Sequence, residues 1–336
     1  MTGDDFTDED VARHPYDALT PDAILSAVES RGLLTDGRML ALNSYENRVY
    51  RVGIEEEEPI VAKFYRPGRW TSEAIIEEHA FALELSELEI PVVAPLSDDD
   101  GRTLHEYGGF QFALFPLRPG RWPDLETFED RLSLGRFIGR IHAVGATRTF
   151  SDRLNFNVAT FGRAPLADLL ASGCVPLEMS DNLGQAASAL LDAVEARFNA
   201  LAPETVRAHG DFHLGNVLWS SLGPSIVDLD DCCNAPPIQD LWMLLDGTRA
   251  DMQGQLLDLL EGYEEFFELD YATVGLIEAL RGMRMVRFNG WIAARWQDPA
   301  FPRAFPWFDT PNHWESQLVT FREQLERVHE PALRVT

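Results

Sequence analysis

The stretches HGDFHLGNVLW (residues 209–219) and SIVDLDD (residues 225–231) hold the densest group of polar side chains in an apolar setting. Asp211 and Asn216 lie five residues apart in a glycine-containing loop, and Asp228 follows twelve residues after Asn216 at the end of an apolar strand. This arrangement suits phosphoryl transfer. A loop aspartate accepts the proton of an acceptor hydroxyl, while an amide and a carboxylate bind Mg²⁺ against nucleotide phosphates. We therefore predict Asp211 and Asp228 as catalytic residues, and Asn216 and Asp228 as metal ligands.

A single lysine, Lys63, accompanies 27 arginines among the 28 Lys+Arg residues of the chain. It lies in the apolar stretch PIVAKFYR, residues 59–66, which is predicted to be a strand. The transition state of phosphoryl transfer spreads negative charge over oxygens, and an ammonium is a compact donor for which the planar fork of arginine is a poor substitute. A buried ammonium needs a carboxylate partner. The following helix offers Glu77 and Glu78, of which we prefer Glu78.

The elements that must position these residues change in character along the chain. Residues 1–19 are acidic and expected to be flexible. The stretch TPDAILSAVESRG is predicted to be a helix with Thr20 as N-cap and Pro21 in its first turn. The rest of residues 20–117 is predicted to be mainly antiparallel strands interrupted by a helix over residues 71–88, capped by Thr71 or Ser72. The Pro- and Gly-rich stretch 118–124 is expected to be a hinge, and residues 125–336 to be mostly helical with one β-hairpin. The predicted fold class is α+β, with a small β-rich nucleotide-binding lobe and a larger α-rich lobe that carries acceptor-binding helices.

Helical periodicity predicts five helices in the larger lobe, around residues 125–144, 183–201, 250–268, 272–297 and 313–330. Two short strands, NVLWS and SIVDLD, are joined by the turn SLGP. If the second strand continues to Asp230, that residue shares a strand face with Asp228. Asp240 precedes the apolar run LWMLL and is expected to cap a helix or to brace the catalytic loop.

Composition limits the possible partners and compartment. A formal net charge of -27 argues against nucleic acid or an anionic membrane surface as the main partner. The start MTGDDFTDED lacks the features of a secretory signal, and no window is apolar enough for a membrane-spanning helix. The three cysteines form no disulfide framework and fit a reducing cytoplasm. Cys232 and Cys233, next to the aspartates, are expected to be small, inert residues.

Several motifs resemble those of a known superfamily. VAKFY, EEHAFAL, HGDFHLGN and IVDLDD resemble the lysine, helix glutamate, catalytic loop and metal aspartate of the protein-kinase-like superfamily, and the HGD form resembles its aminoglycoside-phosphotransferase and choline-kinase branch. Lys63 and Glu78 thereby resemble the ion pair that sets the phosphates. Longer stretches, among them LNSYENRVYRV, PPIQDLWMLL and RWQDPAFPRAFPWF, resemble the bacterial stress response kinase A family from about residue 20 to the C-terminus.

The resemblance implies a bilobal protein-kinase-like (aminoglycoside phosphotransferase-like) fold and further nucleotide contacts. Ser44 falls where the family's ATP-contacting loop would be, and Phe115 and Leu117 resemble the hinge along the adenine edge. The sequence has no G-x-G-x-x-G loop, so backbone N–H groups and side chains such as Ser44 and Asn47 are expected to cradle the phosphates. It also has no D-F-G or A-P-E motif, so an activation loop ordered by phosphorylation is not supported.

The resemblance further implies an ATP- and Mg²⁺-dependent Ser/Thr protein kinase that phosphorylates itself and acts in stress survival. We expect a protein substrate, a cytoplasmic location and a monomer. One alternative is a small-molecule kinase for an amino alcohol or sugar, which requires a deep, strongly acidic pocket beside Asp211. Another is a metal-dependent phosphohydrolase built on His209, Asp211, His213 and the later aspartates. A third is a nucleotide-binding regulator without turnover.

Overall fold

The computed structural model describes residues 15–221 and 223–335, and the chain divides into two compact units. The first unit takes the chain up to Ile75 together with Pro95–Leu117, and the second takes Ile76–Ala94 together with the chain from Arg118 onward. The division after Leu117 coincides with the start of the predicted hinge. Residues 76–94, which were predicted as part of the nucleotide-binding lobe, group with the second unit.

The first unit is built on one antiparallel sheet of five strands in the order β1-β2-β3-β5-β4. Its strands are β1 (Thr35–Ala41), β2 (Arg48–Ile54), β3 (Ile60–Phe64), β4 (His105–Tyr107) and β5 (Phe110–Pro116). Helix α1 (Pro21–Glu29) begins as predicted, because the Thr20 hydroxyl caps it and Pro21 occupies its first turn. Ile24 of α1 and Phe64 of β3 belong to the same buried core, which covers one face of the sheet.

The start of the described chain is packed rather than loose. Tyr16 and Leu19 are buried in the core of the first unit, and the Tyr16 hydroxyl donates a hydrogen bond to the Glu46 carbonyl at 3.0 Å. The prediction of a flexible segment is therefore wrong at these two positions, since their apolar surface is removed from water. The rest of that prediction, over residues 1–14, lies outside the described residues.

The second unit is mainly helical. Its helices are α2 (Ser72–Glu87, which begins in the first unit), α3 (Phe128–Gly145), α4 (Ala164–Ala171), α5 (Leu177–Leu201), α6 (Gln239–Trp242), α7 (Arg249–Tyr263), α8 (Ile277–Ala293), α9 (Ala300–Ala304) and α10 (Pro311–Val328). The five predicted helices are confirmed as α3, α5, α7, α8 and α10, with shifted ends. Within residues 15–221 and 223–335, no helix has the length and apolar character needed to cross a membrane.

Two small antiparallel ladders complete the second unit. Strands β7 (Val217–Ser220) and β8 (Gly223–Ile226) form the predicted hairpin. Strands β6 (Val206–Ala208) and β9 (Cys233–Ala235) form a ladder that was not predicted, because strands of three residues carry too little alternation to be recognised.

Helices α3 and α7 cross in close contact because glycines lie between them. A Cβ atom on Gly139 would collide with the Tyr263 carbonyl oxygen, and one on Gly262 would collide with the Leu132 carbonyl oxygen. This approach brings the Tyr263 hydroxyl to 2.8 Å from His142 Nδ1 in the buried interior. The crossing therefore supports His142, whose Nε2 lies 3.0 Å from Asp240 Oδ2.

Candidate active site

Asp240 holds the start of the loop that carries Asp211. Its two carboxylate oxygens accept the backbone N–H groups of His209 at 2.7 Å and Gly210 at 2.8 Å, and Oδ2 also lies 3.0 Å from His142 Nε2. The side chain is fully buried, so these contacts replace its hydration. Gly210 adopts a φ of +82°, and a Cβ there would collide with the Asp231 carbonyl oxygen. The predicted brace role of Asp240 is confirmed.

Val227 ties the loop to the strand end that precedes Asp228. The Val227 carbonyl accepts a hydrogen bond from His209 Nε2 at 3.0 Å, and the Val227 N–H donates to the Asn216 carbonyl at 3.0 Å. Asn216 Nδ2 donates to the Asp211 carbonyl at 3.0 Å, which turns the amide oxygen of Asn216 to the opposite side. The structure thus brings Asp211, Asn216 and Asp228 together in the second unit.

Asp228 leaves the strand in a left-handed turn. Strand β8 ends at Ile226, Asp228 has a φ of 62°, and a 3₁₀ turn follows over Leu229–Asp231. A residue other than glycine in this region stores local strain, which persists only where the surroundings enforce it. The strand stops before either residue, so the condition under which Asp230 would share a strand face with Asp228 is not met.

The carboxylate of Asp211 lies between two N–H donors, the guanidinium of Arg284 and the ring of His213. Arg284 donates to Oδ1, and His213 Nε2 lies 3.4 Å from Oδ2. His213 Nδ1 accepts the Gly215 N–H at 3.0 Å, so in the neutral ring the proton stands on Nε2 and points to Asp211. Burial raises the pKa of Asp211, but the His213 hydrogen bond and the Arg284 charge outweigh burial and lower the pKa to about 2.

Asn216 and Asp228 offer the oxygen ligands that Mg²⁺ prefers. The amide oxygen of Asn216 and the carboxylate of Asp228 are hard donors of the kind that Mg²⁺ takes alongside phosphate oxygens. The histidines do not form a metal centre, because His209 Nε2 is bonded to a carbonyl and His213 Nδ1 to a backbone N–H. In the part of the chain that the structure describes, no group of three or more His, Cys, Asp or Glu side chains is arranged to hold a metal ion.

Arg153 is a buried residue of the site that sequence reasoning missed. Its Nε donates to the Cys232 carbonyl at 3.0 Å, its Nη2 donates to the Asp230 carbonyl, and its Nη1 lies 3.9 Å from Glu78 Oε2. Arg153 therefore fixes the turn that follows Asp228. Nothing in the local stretch SDRLN distinguishes this arginine from a solvated one, so the sequence carries no signal for it.

Glu77 and Glu78, the two glutamates of α2 considered as lysine partners, differ in their contacts within the second unit. The Glu77 carboxylate accepts the backbone N–H groups of Ser151, Asp152 and Arg153 at 2.6, 2.8 and 2.9 Å. Glu77 is thus used to hold a turn, whereas Glu78 is buried with a relative exposure of 3%. The preference for Glu78 over Glu77 as a lysine partner stays a prediction that agrees with this division of roles.

In the first unit, Lys63 lies in the middle of the sheet. It pairs in register with Val49 of β2 and Ala113 of β5, and its side chain is buried with a relative exposure of 6%. Because strand residues alternate between faces, Lys63 points away from the core that contains Phe64. Its ammonium lies 5.0 Å from the centre of the Tyr65 ring, which suits a cation–π contact.

Ser44 and Asn47 shape the turn between β1 and β2. The Ser44 hydroxyl donates to the Asn47 carbonyl at 3.1 Å, and Asn47 Oδ1 accepts the Arg66 N–H at 3.1 Å. Asn47 is buried and its side-chain oxygen holds the turn, and its expected contact with phosphates stays a prediction. Phe115, on β5 opposite Val61, is partly buried.

Leu117 follows β5 directly and is also partly buried. Because β5 ends at Pro116, Leu117 stands where the chain leaves the sheet of the first unit. This is the position at which the resemblance places the adenine-edge hinge.

Cys232 and Cys233 are buried thiols next to the aspartates. Burial raises the pKa of Cys232 to about 12 and raises that of Cys233 well above its ordinary value. Because the thiolate is the reactive form, these side chains behave as small inert residues, as expected.

Comparison with known proteins shows which family and which relatives the chain resembles. The profile of the Phosphotransferase enzyme family matches residues 39–277. The chain is 42% identical over 321 residues to the serine/threonine protein kinase RdoA of Salmonella typhimurium, covering 96% of this chain and 97% of that protein. It is 41% identical to stress response kinase A of Escherichia coli K12, with the same coverage.

Among solved structures, amicoumacin kinase hAmiN superposes with a TM-score of 0.70 at 20% sequence identity, covering 90% of this chain and 93% of that one. The predicted α+β, kinase-like fold is thereby confirmed.

Proposed function

Because the chain belongs to the phosphotransferase enzyme family and is a relative of the stress response kinase A proteins, we propose that it transfers the γ-phosphoryl group of ATP to Ser or Thr hydroxyls of proteins, including its own. The observation that carries the proposal is one loop with Asp211 and Asn216, tied through Val227 to Asp228. The relatives, a serine/threonine protein kinase and a stress response kinase by name, support a Ser or Thr acceptor and a role in stress response.

In the second unit, Asp211 aligns the acceptor hydroxyl and accepts its proton during in-line transfer. Asn216 Oδ1 and the Asp228 carboxylate would hold the metal ion. A bound Mg²⁺ would supply positive charge that offsets the negative charge of the transition state. The hydrogen bond from Asn216 Nδ2 to the Asp211 carbonyl supports this assignment, because it orients the amide oxygen away from the loop.

In the first unit, Lys63 is proposed to contact the nucleotide phosphates, with Glu78 as its carboxylate partner. Ser44 and the backbone of its turn are proposed to cradle the phosphates, and Phe115 and Leu117 to contact the adenine. Amicoumacin kinase, which shares the fold, was solved in complex with AMP-PNP and Ca²⁺. That complex supports a nucleotide and a divalent cation as ligands of this fold.

A small-molecule kinase for amino alcohols is less favoured by the surroundings of Asp211. Such an enzyme needs an acidic environment for the cationic amine of its acceptor, whereas here Arg284 contacts Asp211 directly. Amicoumacin kinase shares only 20% of residues with this chain, so its likeness carries the fold and not the acceptor.

The test of transfer is incubation of the full chain with γ-labelled ATP, Mg²⁺ and a generic protein acceptor. We expect label on the chain itself and on Ser or Thr of the acceptor, and its loss by about a hundredfold or more in Asp211→Ala. Asp246→Ala, which alters an exposed aspartate, serves as the matched control. Equal labelling of wild type and Asp211→Ala would refute the catalytic assignment, and chelation of the metal should abolish transfer.

The nucleotide contact can be tested separately, because the chain has a single lysine. An amine-reactive ATP analogue has the Lys63 side chain and the N-terminus available for labelling. We expect peptide mapping to find the label on Lys63, and excess ATP to block it. ATP-sensitive labelling that spares Lys63 would contradict its proposed role.

A further inference from the structure

A row of arginines runs along α8 at Arg281, Arg284 and Arg287. Residues three apart are neighbours on a helix surface, so the three side chains leave α8 on one side. Arg281 is used within the fold: its Nε lies 3.4 Å from Glu278 Oε2, and its guanidinium carbon lies 5.3 Å from the centre of the Trp242 ring. Arg284 and Arg287 have a different environment.

Arg284 and Arg287 reach the two loops that carry the acids of the candidate site. Arg284 donates to Asp211 Oδ1, and Arg287 Nη2 donates to Asp231 Oδ1 at 2.8 Å. Their side chains stay 40% and 30% exposed, and the Arg287 guanidinium carbon lies 4.3 Å from the centre of the Phe161 ring. A guanidinium has five N–H donors in a planar fork, so one carboxylate oxygen engages only part of it. Both arginines therefore retain capacity for a ligand.

Helix α8 has its own anchors and does not depend on these two arginines for its place. Gly290 lies so close to α4 that a Cβ would collide with the Pro165 carbonyl oxygen. The buried Asn289 donates to Gln317 Oε1 at 2.9 Å, which ties α8 to α10. Because these contacts hold the helix, Arg284 and Arg287 are not required to fix its position.

Both carboxylate oxygens of Asp211 have a partner, Arg284 on Oδ1 and His213 at 3.4 Å from Oδ2. A carboxylate has about four acceptor sites, so an acceptor hydroxyl can approach Asp211 with both partners in place, but Asp211 takes up the proton more readily once the Arg284 charge has moved away. If the acceptor carries an anion, Arg284 can exchange Asp211 for that anion, which replaces one charge pair by another. A cationic acceptor offers no such exchange and is repelled by both arginines.

We propose that Arg284 and Arg287 bind a carboxylate beside the acceptor hydroxyl, so that the acceptor is a Ser or Thr flanked by Asp or Glu in a peptide segment. This inference rests on the proposed function. During transfer the acceptor oxygen forms a bond to the γ-phosphorus, the bond from that phosphorus to the β–γ bridging oxygen breaks, and ADP leaves. The hydroxyl proton passes to the Asp211 oxygen that Arg284 has released.

The first experiment compares three synthetic peptides that differ only in the residues flanking one serine: glutamate, glutamine or lysine. With γ-labelled ATP, Mg²⁺ and the full chain, we expect kcat/KM for the glutamate peptide to exceed that for the glutamine peptide by about tenfold or more, with the lysine peptide lowest. Arg284→Gln and Arg287→Gln should each bring this ratio toward one, chiefly by raising KM for the glutamate peptide. Arg322→Gln, which removes an exposed arginine of α10, should keep the wild-type ratio.

The second experiment measures binding of the same peptides with alanine in place of serine. The glutamate form should bind wild type and Arg322→Gln about tenfold more tightly than Arg284→Gln. Transfer to serine peptides without any preference for glutamate, or a preference that survives in Arg284→Gln, would overturn the carboxylate subsite while leaving the proposed function intact. Arginine-dependent binding of the acidic peptide with no transfer to any peptide would overturn the proposed function while sustaining the subsite.

Discussion

Replacement of Asp240 by asparagine tests whether a buried carboxylate holds the loop that carries Asp211 in place. Asparagine has nearly the same shape but presents one acceptor oxygen where aspartate presents two. In the native contacts one oxygen accepts the His209 N–H at 2.7 Å and the other accepts the Gly210 N–H at 2.8 Å. Whichever way the amide turns, its NH₂ group faces one of these backbone donors, and that donor loses its partner.

The magnitude follows from this loss. A buried N–H left without an acceptor costs about 1–3 kcal/mol, and the remaining hydrogen bond weakens because its acceptor has lost its charge. We therefore expect Asp240→Asn to lower the free energy of unfolding by about 2–4 kcal/mol, which leaves a typical domain folded. Asp246→Asn is the matched control. That carboxylate is exposed and accepts one hydrogen bond, from Gln255 Nε2 at 2.9 Å, so its replacement should cost no more than about 0.5 kcal/mol.

The assay combines urea unfolding with hydrogen exchange of individual amides. In Asp240→Asn the amides of His209 and Gly210 should exchange faster than in wild type, whereas amides of β7 should keep their protection. The rate of phosphotransfer should also fall, because Asp211 directly follows the two residues whose backbone hydrogen bonds are disturbed. An unfolding free energy within about 0.5 kcal/mol of wild type, with both amides still protected, would refute the reasoning.

Two further predictions concern stability. Gly139→Ala should destabilise by about 1–3 kcal/mol or more, because its Cβ meets the Tyr263 carbonyl, whereas Gly254→Ala, where nothing lies within 4 Å, should stabilise by about 0.5–1 kcal/mol. Thermal unfolding measures both, and a shared sign would contradict the helix contact. Burial lowers the pKa of His313 from 6.5 to about 4, so the unfolded chain takes up the proton first as pH falls. Stability should be full above pH 6.5 and fall by roughly 1–2 kcal/mol toward pH 4, allowing for partial exposure. His313→Gln should remove that slope, and an unchanged slope would exclude His313 as its source.

Local rules account for the parts of the fold that were predicted correctly. Thr20 and Pro21 start α1, and the Thr71 hydroxyl accepts the Ala74 N–H at 3.2 Å at the start of α2, because capping depends on residues three apart. The β7–β8 hairpin likewise joins neighbouring segments. The β6–β9 ladder pairs Val206 with Ala235, which are far apart in sequence, and no local pattern marks such short strands.

The same distinction holds at the candidate site. The grouping of Asp211, Asn216 and Asp228 was predictable because their types and spacing specify a chemistry. The contact of Arg284 with Asp211 was not, because 73 residues separate the two and an arginine on a helix is usually solvated. The end of the predicted strand SIVDLD was placed too late, because an apolar strand pattern does not reveal a left-handed turn at Asp228.

The net charge of the chain and the local charge beside Asp211 act over different distances. A formal charge of -27 repels an acidic acceptor at long range, and this repulsion is screened beyond about 10 Å at an ionic strength of 0.1 M. Contact of a carboxylate with Arg284 occurs within hydrogen-bond distance and is screened much less. Moderate salt should therefore accelerate encounter with an acidic acceptor, whereas it should slow encounter with a basic one. If the arginines of α8 select the acceptor, kcat/KM for the preferred acceptor should rise with moderate salt. If the acidic surface as a whole attracts the acceptor, kcat/KM should fall.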